Sequence, residues 1–364
     1  MNAQQTRRVA LTEERARTIV LSIIVFALIG ASVLILTRAA TTSVSLEAEA
    51  AQLSGNAQSV ADTSASGGQA VRFAGIQSTA ITVAVAGDIQ KPTSNLLHGQ
   101  ETASLIRDTI MPQYILALGD LQYDNGTLSD FQQYFSQTWG ASDLKVKLYP
   151  TPGNHEYNTS GADGFYTYFA ANNASINGKS VTGPANQGYY AFDIGTKWRA
   201  YSVNTETLGA NVTAQNAFVV SDMAANPRPC TIMFMHRPYY DYGTTHDGDA
   251  NSMLPILKTF YDNNGELVLA GHEHNYQRFK LVNPYTNTED TTKGLLSFVV
   301  GDGGTTNLYN AFGSTMNNAN NLIVKQNGTG WGVLRLELRD DGFTYDHVPI
   351  DEGGFTDVGS GMCH

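Results

Sequence analysis

The chain reads as an α/β protein, a two-sheet β-sandwich flanked by helices and preceded by one transmembrane helix. Three observations predict this. Between residues 80 and 275, apolar runs of strand length alternate with segments of helical period, the pattern of parallel strands joined by crossover helices. Three late runs, 295–300, 332–338 and 343–348, have the look of antiparallel strands closing a domain. Residues 18–37 carry no charge, and at ~1.5 Å rise per residue such a helix is about 30 Å long, the thickness of a bilayer core.

In order, residues 1–40 read as a cytoplasmic N-terminus and signal-anchor segment. Arg7, Arg8, Arg15 and Arg17 precede the apolar stretch and Arg38 alone follows it, an asymmetry that keeps the N-terminus in the cytoplasm and exports the remainder. A cleaved secretory signal is the competing reading. Its apolar region is normally ~7–15 residues, and Thr37-Arg38-Ala39-Ala40-Thr41 is an indifferent cleavage site. Both readings export the body, held at the cell membrane by a single pass or secreted. Residues 41–79 are rich in Ala, Ser, Thr, Gly and Gln and read as a linker, with a small hairpin as the alternative. Residues 80–364 form the globular domain.

That domain opens with the apolar run 81–86. A helix follows over about 101–111, where Ala103, Leu105, Ile106 and Ile110 give an apolar stripe. Then come a strand over 114–118, a helix over 128–137 and a strand over 145–149. An aromatic, Gly-rich loop leads to two antiparallel strands, 188–194 and 198–204. A helix over 214–225, a strand over 231–235, a helix over 253–263 and a strand over 267–270 continue the alternation.

The residues at the carboxyl ends of these strands suggest chemistry. In order they are Gly87-Asp88-Ile89-Gln90, Gly119-Asp120-Leu121-Gln122-Tyr123, Gly153-Asn154-His155-Glu156, His236-Arg237-Pro238 and Gly271-His272-Glu273-His274. Open α/β sheets bind ligands at the carboxyl ends of their strands. A single Gly-Asp after a strand is an ordinary turn, and a lone Gly-His-x-His arises by chance. Five such blocks in order, each closing an apolar run, make a donor set. Carboxylate, amide and imidazole groups ligate cations and leave positions open for water and substrate.

This ordered set resembles the calcineurin-like metallophosphoesterases and, within them, the purple acid phosphatases, whose signature runs D-x-G, G-D-x-x-Y, G-N-H-[DE], x-x-x-H and G-H-x-H. The resemblance covers about residues 80 to 350. Four of the five blocks match; the first departs, with Gln90 in place of glycine. The resemblance implies the four-layer αββα fold of that superfamily and an extracytoplasmic phosphohydrolase with two metal ions. Asp88, Asp120, Tyr123 and His274 would hold one metal, and Asp120, Asn154, His236 and His272 the other, with Asp120 bridging. His155 would face the substrate phosphate. His246, ten residues beyond His236, would protonate the leaving oxygen. The implied reaction is hydrolysis of phosphate monoesters by a hydroxide held on the metals. A phosphodiesterase or nucleotidase on the same site is the alternative, and a surface-binding protein with a relict metal site is the alternative from another class. A phenolate such as Tyr123, whose ordinary pKa is near ~10, ionises only beside a strongly acidic cation. That favours Fe(III) at one position, with a divalent Fe, Zn or Mn at the other. Gln90 would stand close to the first metal and leaves its identity open.

Composition narrows the partners. The net charge is −11, and the arginines of the N-terminal segment make the domain more acidic than the whole. Such a body is a poor binder of nucleic acid. Clustered cations reverse the sign locally, so the expected partner is a small phosphorylated substrate, with the membrane engaged through the N-terminal helix. Cys230 and Cys363 are the only cysteines. In an exported protein such a pair invites a disulfide, two free thiols being the alternative. His98, His347 and His364 fit no block and read as structural, and Gly301-Asp302-Gly303-Gly304 reads as a turn near the site.

Overall fold

Runs that are apolar on both faces become central strands, and here they build two sheets stacked face to face. The structure, a computed structural model, describes residues 57–61, 69–73, 80–93, 96–171, 175–176, 179–246 and 250–364. Two units divide the chain between Ile76 and Gln77. In the first, strands β1 (Ala57–Ala61) and β2 (Gln69–Phe73) form an antiparallel hairpin, Ala57 opposite Phe73.

The second unit begins with β3 (Ile81–Ala86), α1 (Leu97–Leu105) prolonged by a wider turn to Ile110, and β4 (Tyr114–Leu118). Next come α2 (Leu128–Gln133), capped by the Thr127 hydroxyl accepting from Asp130 N, β5 (Leu148–Thr151) and α3 (Asp163–Ala171). The short pair β6 (Ser175–Ile176) and β7 (Lys179–Ser180) precedes β8 (Tyr190–Ile194), β9 (Trp198–Ser202), α4 (Leu208–Ala225) and β10 (Cys230–Phe234). Then follow α5 (Leu254–Asp262), β11 (Leu267–Ala270), β12 (Tyr276–Asn283), β13 (Thr288–Glu289) and β14 (Leu295–Val300). The last strands are β15 (Ile323–Asn327), β16 (Gly332–Leu338), β17 (Gly342–Pro349) and β18 (Val358–Met362).

One sheet has the order β18-β17-β16-β3-β4-β5 and the other β13-β12-β14-β11-β10-β9-β8, with β15 also on β12. The parallel sets are β3-β4-β5 and β9-β10-β11-β14. Alternation along each strand explains the layering. Ile232 and Phe234 join Leu116, Leu118 and Leu334 in the core between the sheets. Met233 and Met235 face the other way, with Phe260 and Leu257 of α5. Helices thus cover the outer faces, and the αββα arrangement read from the sequence is the one observed.

The transmembrane helix expected over residues 18–37 is corrected. Among the described residues no helix is long and apolar enough to cross a membrane, and residues 18–37 lie outside them. The longest described helix, α4, spans 18 residues and carries Asn211, Gln215, Asn216 and Asp222. The membrane partner and the single-pass placement that depended on that segment are withdrawn.

Smaller differences have local causes. The third strand lies at 148–151 rather than 145–149, because Ser142–Lys145 closes a helical turn and Val146 is exposed. Pro150 is tolerated within it since β5 is an edge strand. β14 is parallel to β11 on one side and antiparallel to β12 on the other.

Candidate metal centre

Every block singled out in the sequence leaves the carboxyl end of a strand at the same end of the sandwich. Asp88 follows β3, Asp120 and Tyr123 follow β4, and Asn154 and His155 follow β5, all from one sheet. His236 follows β10 and His272 and His274 follow β11, from the other. Three of these residues turn the chain through the left-handed region without being glycine: Asp88 (φ 59°), Asp120 (φ 48°) and His272 (φ 72°). Such conformations cost roughly 1–3 kcal/mol each and persist where the surroundings hold them. Asp88 Oδ2 accepts the His272 backbone N–H at 2.7 Å, locking one such turn onto another across the two sheets.

Asp120, His236 and His272 form a buried group whose ligand atoms all lie within 4.8 Å of one another. His236 Nδ1 donates to the Leu118 carbonyl (2.8 Å), which turns Nε2 toward Asn154 Oδ1 (3.0 Å), His272 Nδ1 (3.1 Å) and Asp120 Oδ1 (3.4 Å). Gly119, at φ 83°, has no room for a side chain because the His236 ring occupies the place of a Cβ. Burial pulls the His236 pKa down, but the charge of Asp120, with Asp88 and Glu206 behind it, pushes it up to about 10. Burial opposes the Asp120 charge, yet His236 and His155 hold its carboxyl well below the usual range. Burial and the neighbouring His236 and Arg237 keep His272 neutral.

A second group adjoins the first. Tyr123 Oη lies 2.8 Å from Asp88 Oδ1 and 2.9 Å from His274 Nε2. His274 Nδ1 donates to the Asn307 carbonyl (2.7 Å), and its ring stacks on Tyr309 with centroids 4.5 Å apart. Both His236 and His274 thus commit one nitrogen to a carbonyl and turn the other inward, the arrangement that orients imidazole ligands for a cation. With acceptor oxygens of Asp88, Asp120 and Asn154 converging on the same space, the donor set fits metal. Arg237 Nη1 donates to His272 Nε2 (3.1 Å).

His155 and His246 lie at the rim, each about a quarter exposed. His155 Nδ1 donates to the Asp124 carbonyl (2.6 Å), and its Nε2 is 3.8 Å from Asp120 Oδ2. The His246 ring lies 4.1 Å from that of His272. Gln90 is turned away from both groups, its Nε2 donating to Lys91 O and its Oε1 standing over Gly99 of α1.

Two acids took no part in the sequence reading. The buried Glu156 carboxylate accepts the backbone N–H groups of Gly153, Asp120, Leu121 and Gln122 and so fastens the turn after β4 to the turn after β5. Glu273, fully buried, faces His246. Their signal was their position inside the motifs, one residue after Asn154-His155 and between His272 and His274.

The sequence model of the calcineurin-like phosphoesterases matches residues 81–276. The chain belongs to that family. Among calcineurin-like phosphoesterases it is similar to purple acid phosphatases: to Purple acid phosphatase 22 of Arabidopsis thaliana, 30% identical over 125 residues, which are 32% of this chain and 27% of that protein. It is also similar to Probable inactive purple acid phosphatase 9 of Arabidopsis thaliana, 25% identical over 281 residues, 68% of this chain and 43% of that protein. The solved structure of a purple acid phosphatase from yellow lupin (Lupinus luteus) seeds shares the fold at TM-score 0.61 and 18% identity, over 78% of this chain and 54% of that one. The chain thus spans about half or less of the length of these relatives.

Proposed function

We propose that this calcineurin-like phosphoesterase hydrolyses phosphate monoesters with two bound metal ions. The observation that carries the reading is the convergence of two donor groups, each drawn from both sheets, with Asp120 close to both. Asp88, Tyr123 and His274 would hold one cation, Asn154, His236 and His272 the other, and Asp120 would bridge them. When bound, such a pair of cations acidifies water and neutralises phosphate oxygens. His155, steadied by Asp124, presents Nε2 to the phosphate. His246 holds the proton that the leaving oxygen takes up. Tyr123 as a hard anionic donor supports Fe(III) beside it, with divalent Fe, Zn or Mn at the other position. The Cys230–Cys363 disulfide supports folding in an oxidising compartment, outside the cytoplasm.

The test uses the full chain purified with its metals and assayed on phosphomonoesters and phosphodiesters. Two metal ions per chain and turnover of monoesters are expected, and His272→Ala lowers metal content and turnover of every ester together. Preference for diesters shifts the reading to a phosphodiesterase. A protein that binds metal and turns over neither class is a relict site.

A further inference from the structure

A carboxylate is rarely buried without a task, and Glu273 is fully buried in the turn that supplies two of the histidines. Its Oε2 is 2.9 Å from His246 Nδ1, and its Oε1 accepts the Thr245 backbone N–H at 3.3 Å. Gly243 passes so close that a Cβ there would collide with this carboxylate. The segment 243–246 is therefore draped over Glu273, and the His246 ring is set 4.1 Å from His272 and 6.3 Å from His274. Oε1 already accepts from the backbone; with Oε2 accepting in the same way, Nδ1 of His246 donates to it and Nε2 is the nitrogen left for substrate.

We propose that Glu273 is the positioning residue of the proton donor, holding His246 so that Nε2 meets the leaving oxygen of the ester. This rests on the reading of His246 given above. In the step concerned, a water oxygen bonds to phosphorus and releases one of its protons to solvent, as the bond from phosphorus to the ester oxygen breaks. That oxygen keeps the electron pair and takes the proton from His246 Nε2, while Nδ1–H stays on Glu273. One turn would thus carry two metal ligands and the anchor of the acid, which fixes the distance between cations and proton donor regardless of how the rest of the loop runs.

The experiment compares His246→Ala, Glu273→Gln and the double variant on an alkyl phosphate and on p-nitrophenyl phosphate, with metal content measured for each. Amide exchange at 243–246 is followed in the metal-free proteins. A positioned acid contributes roughly 10²–10⁴ where the leaving group is poor. Glu273→Gln should lower kcat on the alkyl ester by roughly ten- to a hundredfold and on the nitrophenyl ester far less, with KM and metal content kept. The double variant should match His246→Ala within about twofold, as residues acting as one unit do. Exchange at Thr245 and His246 should quicken. Equal loss on both esters, losses that multiply in the double variant, or unchanged exchange overturns the proposal. Should Glu273→Gln fail to fold, Glu273→Met, of similar length, is held to the same ester split. Failure of the proton-donor reading itself shows separately, as an equal loss on the two esters in His246→Ala alone.

Discussion

Tyr123 has its hydroxyl between the Asp88 carboxylate and the His274 ring, and its proton is hard to remove there. Burial and the charges of Asp120 and Asp88 hold its pKa well above 10; only a strongly acidic cation reverses that balance. Purified protein is therefore expected to absorb visible light by phenolate-to-Fe(III) charge transfer, and Tyr123→Phe to lose the band while keeping its far-ultraviolet circular dichroism. A colourless, iron-free but active protein would falsify the iron assignment and leave two divalent ions. Far from the centre, Glu266 accepts from Thr231 N and Oγ1, and burial pushes its pKa from 4.5 up to about 7. The unfolded chain holds that proton less tightly, so the stability linked to it is complete below pH ~4.5 and is lost as pH rises through about 7. Glu266→Gln should stabilise the protein by on the order of 1–3 kcal/mol at pH 8 and by nearly nothing at pH 4.5. Urea titrations at the two pH values check this, and an equal effect at both would remove Glu266 from the pH dependence.

At the scale of the element, β18 is held little by packing and firmly by a covalent bond. Its burial alternates between exposed and half-buried, with Val358 and Met362 well exposed. Its partner β17 shares five residue pairs with it, from Gly342 opposite Met362 to Asp346 opposite Val358. Just beyond it, Cys363 is joined to Cys230 at the start of β10, with Cα atoms 5.4 Å apart. That resolves the pairing the sequence had left between a disulfide and two free thiols. The bond ties the edge of one sheet to a central strand of the other across 133 residues, and a loop of that size is worth roughly 2–5 kcal/mol. Cys363→Ser should lower the melting temperature and free β18, raising amide exchange at 358–362, while metal content and turnover stay near those of the parent. Unchanged melting would mean that strand pairing alone holds the tail.

At the scale of the molecule, the centre is a joint between two sheets, each supplying candidate ligands the other lacks. Asp88 and Asp120 come from one, His236 and His272 from the other. Metal bound there is linked to folding of both, adding about 2.7 kcal/mol at a free concentration a hundredfold above Kd. Removal of metal by a chelator should lower the melting temperature of the parent but not of His272→Ala, as calorimetry can show; equal shifts in both would point to metal bound elsewhere. This joint is also why so much was legible in advance. Each ligand block is local, a few residues closing an apolar run, and the strands that carry them are buried on both faces. The roles of Glu273 and Glu156 were not legible, because they depend on where residues 243–246 return and on which backbone N–H groups lie unpaired. Nor was β12, whose Tyr276-Gln277-Arg278-Phe279-Lys280 mixes charge into a strand bulged against β14 and β15. The membrane helix came from hydropathy alone, and the described helices offer none.

The pairing of β16 with β3, Leu334 opposite Val85 and Leu338 opposite Ile81, has a consequence for how the protein is made. Chains leave the ribosome from the N-terminus, at about 5–20 residues per second. β3, β4 and β5 can pair early, yet the other edge of β3, beside Asp88, waits for residues 332–338 to emerge. For that interval, which the same rate puts at roughly ten to fifty seconds, an apolar strand shows bare amides and carbonyls to whatever is near, a template for misassembly. Nascent-chain survival should therefore hinge on whether some other protein shields that edge during synthesis, and a circular permutant that begins at β16 should need the shield less.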